Sequence, residues 1–127
     1  MRFDVTVLHN TTPAGADEDC PPVHEESLAI FVRAVGDPRL RPADTLTTVG
    51  TLTVEAENSR AAAEEAFVAG NAPYDTPQVR QYTSWGVRSL SVGDVVVVAT
   101  PDGPAAYECD SFGWRTLDLR DYTVVAR

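Results

Sequence analysis

The chain predicts an α+β domain: a mainly antiparallel sheet of about five strands with one or two packed helices. Three observations carry that expectation. Strand-type segments outnumber helical ones, since residues 2–9, 45–56, 95–98, 105–114 and 116–125 either alternate apolar with polar residues or are rich in Val, Thr and aromatics. Turn chemistry separates the later strands, at Ser91-Val92-Gly93-Asp94 and at Pro101-Asp102-Gly103-Pro104. Helical spacing is confined to 23–35 and 59–69. With 127 residues, 43% of them hydrophobic, the chain is read as one domain, 1–127, with a real core.

Residues 2–9 place Phe3, Val5 and Val7 on one face with Asp4 and Thr6 opposite, the signature of a half-buried strand. Residues 10–22, NTTPAGADEDCPP, combine Pro, Gly and a short acidic run and predict a mobile or inserted loop. In 23–35, Glu25 and Glu26 suit a first helical turn, and Leu28, Phe31, Val32 and Val35 recur at helical spacing. Ile30, Phe31 and Val32 would serve a strand equally well, and the reading adopted is a helix ended by Gly36-Asp37-Pro38. Residues 45–56 predict a strand with Leu46, Leu52 and Val54 on one face and Gly50 at a bulge. Asn58 caps a helix over 59–69 whose stripe is Ala62, Ala63, Ala66 and Phe67, closed by Gly70 as its C′ residue. Residues 71–86 read as a Pro-containing connection carrying Tyr74, Tyr82 and Trp85. The turn at 91–94 then feeds the strand Val95–Val98, a hairpin loop at Asp102-Gly103 follows, and 105–114 and 116–125 complete the sheet.

Acidic residues number 19 against 10 basic ones, every base is Arg, and the formal charge is −9 with a pI near 4.5. Such a field repels phosphate backbones, so direct nucleic-acid binding is disfavoured. A basic protein partner and imitation of nucleic acid are both compatible with it. The alternating N-terminus lacks the apolar core of a signal peptide, and no apolar run is long enough to span a bilayer, so the expectation is a cytoplasmic protein without a membrane partner. Cys20 and Cys109 form no disulfide framework and are expected as free thiols.

The block RSLSVGDVVVV (88–98) followed by AAYECDSFGW (105–114) resembles small domains of the YodL-like type, which occur on plasmids, conjugative elements and phages. The matching positions are Ser89, Ser91, Val92, Asp94, Val95, Gly103, Tyr107, Ser111, Phe112, Gly113 and Trp114. The Phe3–Thr12 stretch and AEEAFVAGN (63–71) echo the same group more faintly, and 17–44 has the character of an insertion. The resemblance implies an accessory protein of a mobile element, with no assigned activity and no catalytic residues.

The residues that can carry chemistry point the same way. Ser89, Ser91 and Asp94 read as turn chemistry, in which short polar side chains bond nearby backbone amides. Cys109 in an alternating strand reads as a small buried hydrophobe, because a nucleophile needs a base and His9 and His24 lie in no catalytic signature. The same two histidines with Cys20 and Cys109 are zinc-ligand types, but without paired spacing, so no metal and no cofactor are expected. Among the aromatics Tyr74, Tyr82, Trp85, Phe112 and Trp114, Trp85 is best placed for exposure, between Ser84 and Gly86. The sequence therefore predicts a non-enzymatic accessory or regulatory module that binds a host- or element-encoded protein through Tyr82, Trp85, Arg88 and Trp114. Three alternatives stay open: an acidic DNA mimic acting against restriction or defence, a small β domain reading nucleic acid or nucleotide through Arg80, Arg88 and Arg115, and an enzyme using Cys109. Oligomeric state is left undefined.

Overall fold

The alternating segment at the N-terminus becomes β1 (Arg2–Asn10), whose Phe3, Val5 and Val7 all enter one core. The computed structural model describes residues 1–11, 40, 44–72 and 75–127. β1 is followed by β2 (Thr45–Glu55), α1 (Ser59–Asn71), α2 (Pro77–Ser84), β3 (Val95–Thr100), β4 (Gly103–Asp110), β5 (Gly113–Thr116), a 3-10 turn at Leu119–Asp121 and β6 (Thr123–Ala126). The strands form a six-stranded sheet in the order β5-β4-β3-β1-β2-β6. All its pairings are antiparallel except β2 with β6. Both helices pack on one face, so the α+β expectation holds, with six strands in place of about five.

The helix face carries the larger core. Val5, Val7, Leu52, Val54, Val96 and Val98 of the sheet meet Ala62, Ala63, Ala66 and Ala69 of α1 and Tyr82 of α2. The opposite face holds a smaller cluster of Leu8, Leu40, Leu46 and Val95, flanked by Val97, Leu117, Leu119 and Tyr122. A strand covered on both sides must be apolar on both, which explains the unbroken run Val95–Val98.

Gly50 marks the predicted bulge. Val7 pairs with Gly50 but Leu8 pairs with Thr48, leaving Val49 as the extra residue. One inserted residue inverts the alternation downstream. Leu46 therefore belongs to the second face, while Leu52 and Val54 line the helix face, and the expectation that the three share a face is corrected.

Asn58 caps α1 as expected, its Oδ1 accepting the Ala61 N–H at 2.9 Å. Gly70 is not the C′ residue, because α1 continues to Asn71. Its lack of a side chain lets Leu90 and Tyr82 approach: a Cβ there would lie 3.0 Å from Leu90 Cβ and 3.1 Å from Tyr82 Cε2. The connection at 71–86 contains an unexpected helix, α2, started by Thr76 as N-cap and Pro77 in the first turn.

The stretch 105–114 is not one strand. It breaks at Ser111-Phe112 into β4 and β5, which pair as a second two-residue hairpin with Asp110 opposite Gly113 (φ 139°). Likewise 116–125 divides into the 3-10 turn and the short edge strand β6. β1 reaches Asn10, one residue into the predicted loop; the remainder of that loop and the predicted helix at 23–35 lie outside the described residues, apart from Thr11.

Candidate functional site

Three of the four predicted contact residues come together at one corner of the helix face. The Tyr82 and Trp85 rings sit with centroids 5.0 Å apart, and the Tyr82 hydroxyl donates to the Arg88 carbonyl at 2.8 Å. That hydroxyl therefore accepts from His9 Nε2–H, at 2.8 Å, which fixes the tautomer of a fully buried histidine. The Trp85 indole lies directly over Gly50, where a Cβ would come within 2.2 Å of its ring, so the bulge glycine makes the seat for the tryptophan.

Tyr82 of this corner is buried, while Trp85 and Arg88 are partly buried. Tyr82 is only 4% exposed. The Arg88 guanidinium, 15% exposed, forms a fork on Asp94, with Nη1 donating to Oδ2 at 2.5 Å and Nη2 to Oδ1 at 2.7 Å. Asp94 is itself buried and also accepts the backbone N–H groups of Asn10 and Ser91, each at 2.8 Å. The Ser91 amide bond, with Gly93 at φ 91°, is the turn chemistry expected of the 89–94 segment.

Trp114 stands elsewhere. It belongs to the edge strand β5, four strand spacings and so roughly 19 Å across the sheet from the Gly50 seat. Its indole Nε1 donates to Glu64 of α1 at 3.0 Å, and its ring meets Phe67 edge-on at 6.4 Å. Arg60, one turn earlier on α1, donates to the Trp114 carbonyl at 2.5 Å and stacks over the Tyr107 ring. Between α1 and the β4–β5 hairpin these contacts leave a cleft of about 160 Å³, lined by Glu64, Phe67, Cys109, Asp110, Ser111, Gly113 and Trp114.

At the tip of that hairpin Phe112 is wholly outside the fold, with a relative exposure of 104%. Asp110 Oδ1 holds the turn by accepting the Ser111 N–H at 2.8 Å. Sequence reasoning weighs Glu64 only as one of the acids of a DNA mimic and Asp110 only as a neighbour of Cys109, and does not bring these two carboxylates of the cleft together. The Asp-Ser-Phe-Gly run at 110–113 is a hairpin signal that would have separated β4 from β5 and exposed the tip.

Cys109 forms part of the cleft floor but is mostly buried. Burial, followed by the negative charges of Asp94, Glu64, Asp110 and Glu108, pushes its thiol up to about 12. A thiol so held is protonated at neutral pH and is a poor nucleophile. Among the described residues no group of three or more His, Cys, Asp and Glu side chains could hold a metal ion. Cys20 and His24 lie outside the described residues. Nor does any helix among the described residues have the length and apolarity to cross a membrane. The predicted arginine patch is dispersed: Arg88 is held by Asp94, Arg115 by the buried Glu108 on the opposite face, and Arg80 by Asp75 at 2.8 Å.

Comparison of the chain with family models, with curated proteins and with solved structures gives no match.

Proposed function

We propose that this chain is a non-enzymatic protein-binding module, the kind of accessory protein that the YodL-like resemblance implies for mobile elements. Its contact surface is the β4–β5 hairpin end with Phe112 and Trp114, while Tyr82, Trp85 and Arg88 support the fold across the sheet from it. The observation that carries this reading is Phe112. A two-residue turn closed by Gly113 has no conformational need for phenylalanine. Leaving the ring in water forgoes about 2–3 kcal/mol of burial that a partner can recover. Exposed aromatics bracketed by polar residues are the usual anchors of protein interfaces. A protonated Cys109 argues against catalysis by that thiol, and the net charge argues against direct contact with nucleic acid.

The test compares the wild type with Phe112→Ser as immobilised bait in host lysate at high salt. Thermal melting should be unchanged, because the ring contributes nothing to the core. Retention of the dominant partner should fall about tenfold or more. Equal retention by both baits would refute the reading, and a complex released by added DNA would replace it with nucleic-acid mimicry.

A further inference from the structure

We infer that the cleft between α1 and the β4–β5 hairpin is a receptor for a basic side chain, an arginine or lysine presented by an extended segment of a partner protein. This inference rests on the protein-binding reading above and names the chemistry of the partner. The cleft has the composition that recognises an organic cation. Its aromatic lining is Phe67 and Trp114, packed edge-on to each other, and aromatic rings attract a cation through their π systems. Its polar groups are two carboxylates, Glu64 on the helix and Asp110 on the hairpin.

Neither carboxylate is ion-paired among the described residues. Glu64 accepts only the neutral indole N–H of Trp114, and Asp110 only the backbone N–H of Ser111. Each therefore keeps spare acceptor capacity for an incoming donor. The nearest cation on α1, Arg60, is turned to the Trp114 carbonyl and the Tyr107 ring. Both carboxylates lie close enough to the Cys109 thiol on the cleft floor to raise it, after burial and Asp94. Trp114 is tied to α1 by its bonds to Glu64 and Arg60. The cleft is thus formed in advance, and a guanidinium entering it loses little to reorganisation. The size agrees: about 160 Å³ admits a single side-chain head.

The experiment uses the full chain and a defined probe, the peptide acetyl-Gly-Arg-Gly-Arg-Gly-amide, with a citrulline-for-arginine peptide as neutral isostere. Titration is followed by tryptophan emission in the Trp85→Phe background, which leaves Trp114 as the reporter. Saturable binding of the arginine peptide is expected, weakened about tenfold by the double variant Glu64→Gln/Asp110→Asn. Glu57→Gln/Glu65→Gln removes the same charge outside the cleft and should leave affinity within about twofold. Both amide replacements keep an acceptor for the Trp114 and Ser111 N–H groups, so folding is preserved. Equal binding of the citrulline peptide, equal weakening by the two double variants, or no saturable binding would overturn the inference. The bait comparison separates this from the broader reading. Loss of partner retention on Phe112→Ser but not on Glu64→Gln/Asp110→Asn overturns the basic-side-chain receptor alone, whereas no loss on either overturns both.

Discussion

Glu108 and Cys109 are neighbours in β4, and alternation sends them to opposite faces of the sheet. Glu108 is almost fully buried beneath the second face, where Oε2 accepts the Leu40 N–H at 3.1 Å and Oε1 pairs with cross-strand Arg115. A buried charge is tolerable because it is met on both oxygens. Cys109 instead enters the helix-side core, and its thiol is pushed from 9.0 to about 12, first by burial and then by surrounding carboxylates. The folded state thus disfavours the thiolate. The resulting stability is present below pH 9.0 and is lost as the pH rises from there towards about 12, because the unfolded chain ionises first. In a Cys20→Ser variant, where Cys109 is the sole thiol, iodoacetamide at pH 8 should react only through global unfolding, the native thiolate fraction being about 10⁻⁴. Labelling that outpaces hydrogen exchange of the core amides would disprove the burial argument.

At the scale of elements, the bulge in β2 and the seat of Trp85 are one device. Val49 is inserted, the strand bends, and Gly50 presents bare backbone to the indole. Gly50→Ala places a methyl group inside the Trp85 ring volume and should cost about 1–3 kcal/mol in urea denaturation. In a Trp85→Ala background the same substitution should cost close to nothing, because the clash is gone. Equal costs in the two backgrounds would show that Gly50 is needed for its backbone freedom alone. The glycine and its bulge were legible in the sequence, and so were β1, α1 with its Asn58 cap, and the Pro101-Asp102 hairpin, because each is fixed by local chemistry. The faces beyond the bulge were not legible, since a single inserted residue inverts the assignment of Leu46 without changing composition. α2 was hidden by its own brevity, eight residues with only Tyr82 buried, although Thr76-Pro77 is a sound start signal. Of the candidate site, Trp114 was legible as an aromatic in a strand. Its pairing with Glu64 was not, because the two stand fifty positions apart, with a further helix and two strands between them.

Over the whole molecule, one carboxylate closes the end of the sheet where β1 finishes and β3 begins. Asp94 accepts the last amide of β1, the Ser91 amide of its own turn and both ends of the Arg88 fork. Asn10 passes the connection on, its side chain donating to Asp44 at 2.9 Å, and the Asp44 carbonyl accepts the first amide of β6 at 3.3 Å. Central strands, the following turn and the far edge strand are thus tied through a few buried polar groups at a single end. Removing the carboxylate takes the fork from a largely buried guanidinium and the shared acceptor from two backbone N–H groups at once, so Asp94→Ala should lower unfolding free energy by about 3–5 kcal/mol. That is a large share of the roughly 5–15 kcal/mol typical of a domain, and the variant should melt far below the wild type. Replacing the pair together, Arg88→Met with Asp94→Leu, removes the guanidinium along with its fork but leaves the Asn10 and Ser91 amides without the carboxylate they donate to. The double variant should therefore recover part of the loss and no more. Full recovery would mean that the ion pair alone mattered and the backbone amides did not. A loss under about 1 kcal/mol for Asp94→Ala would mean that the sheet end is held by the apolar contacts of the two cores, with the polar network merely accommodated between them.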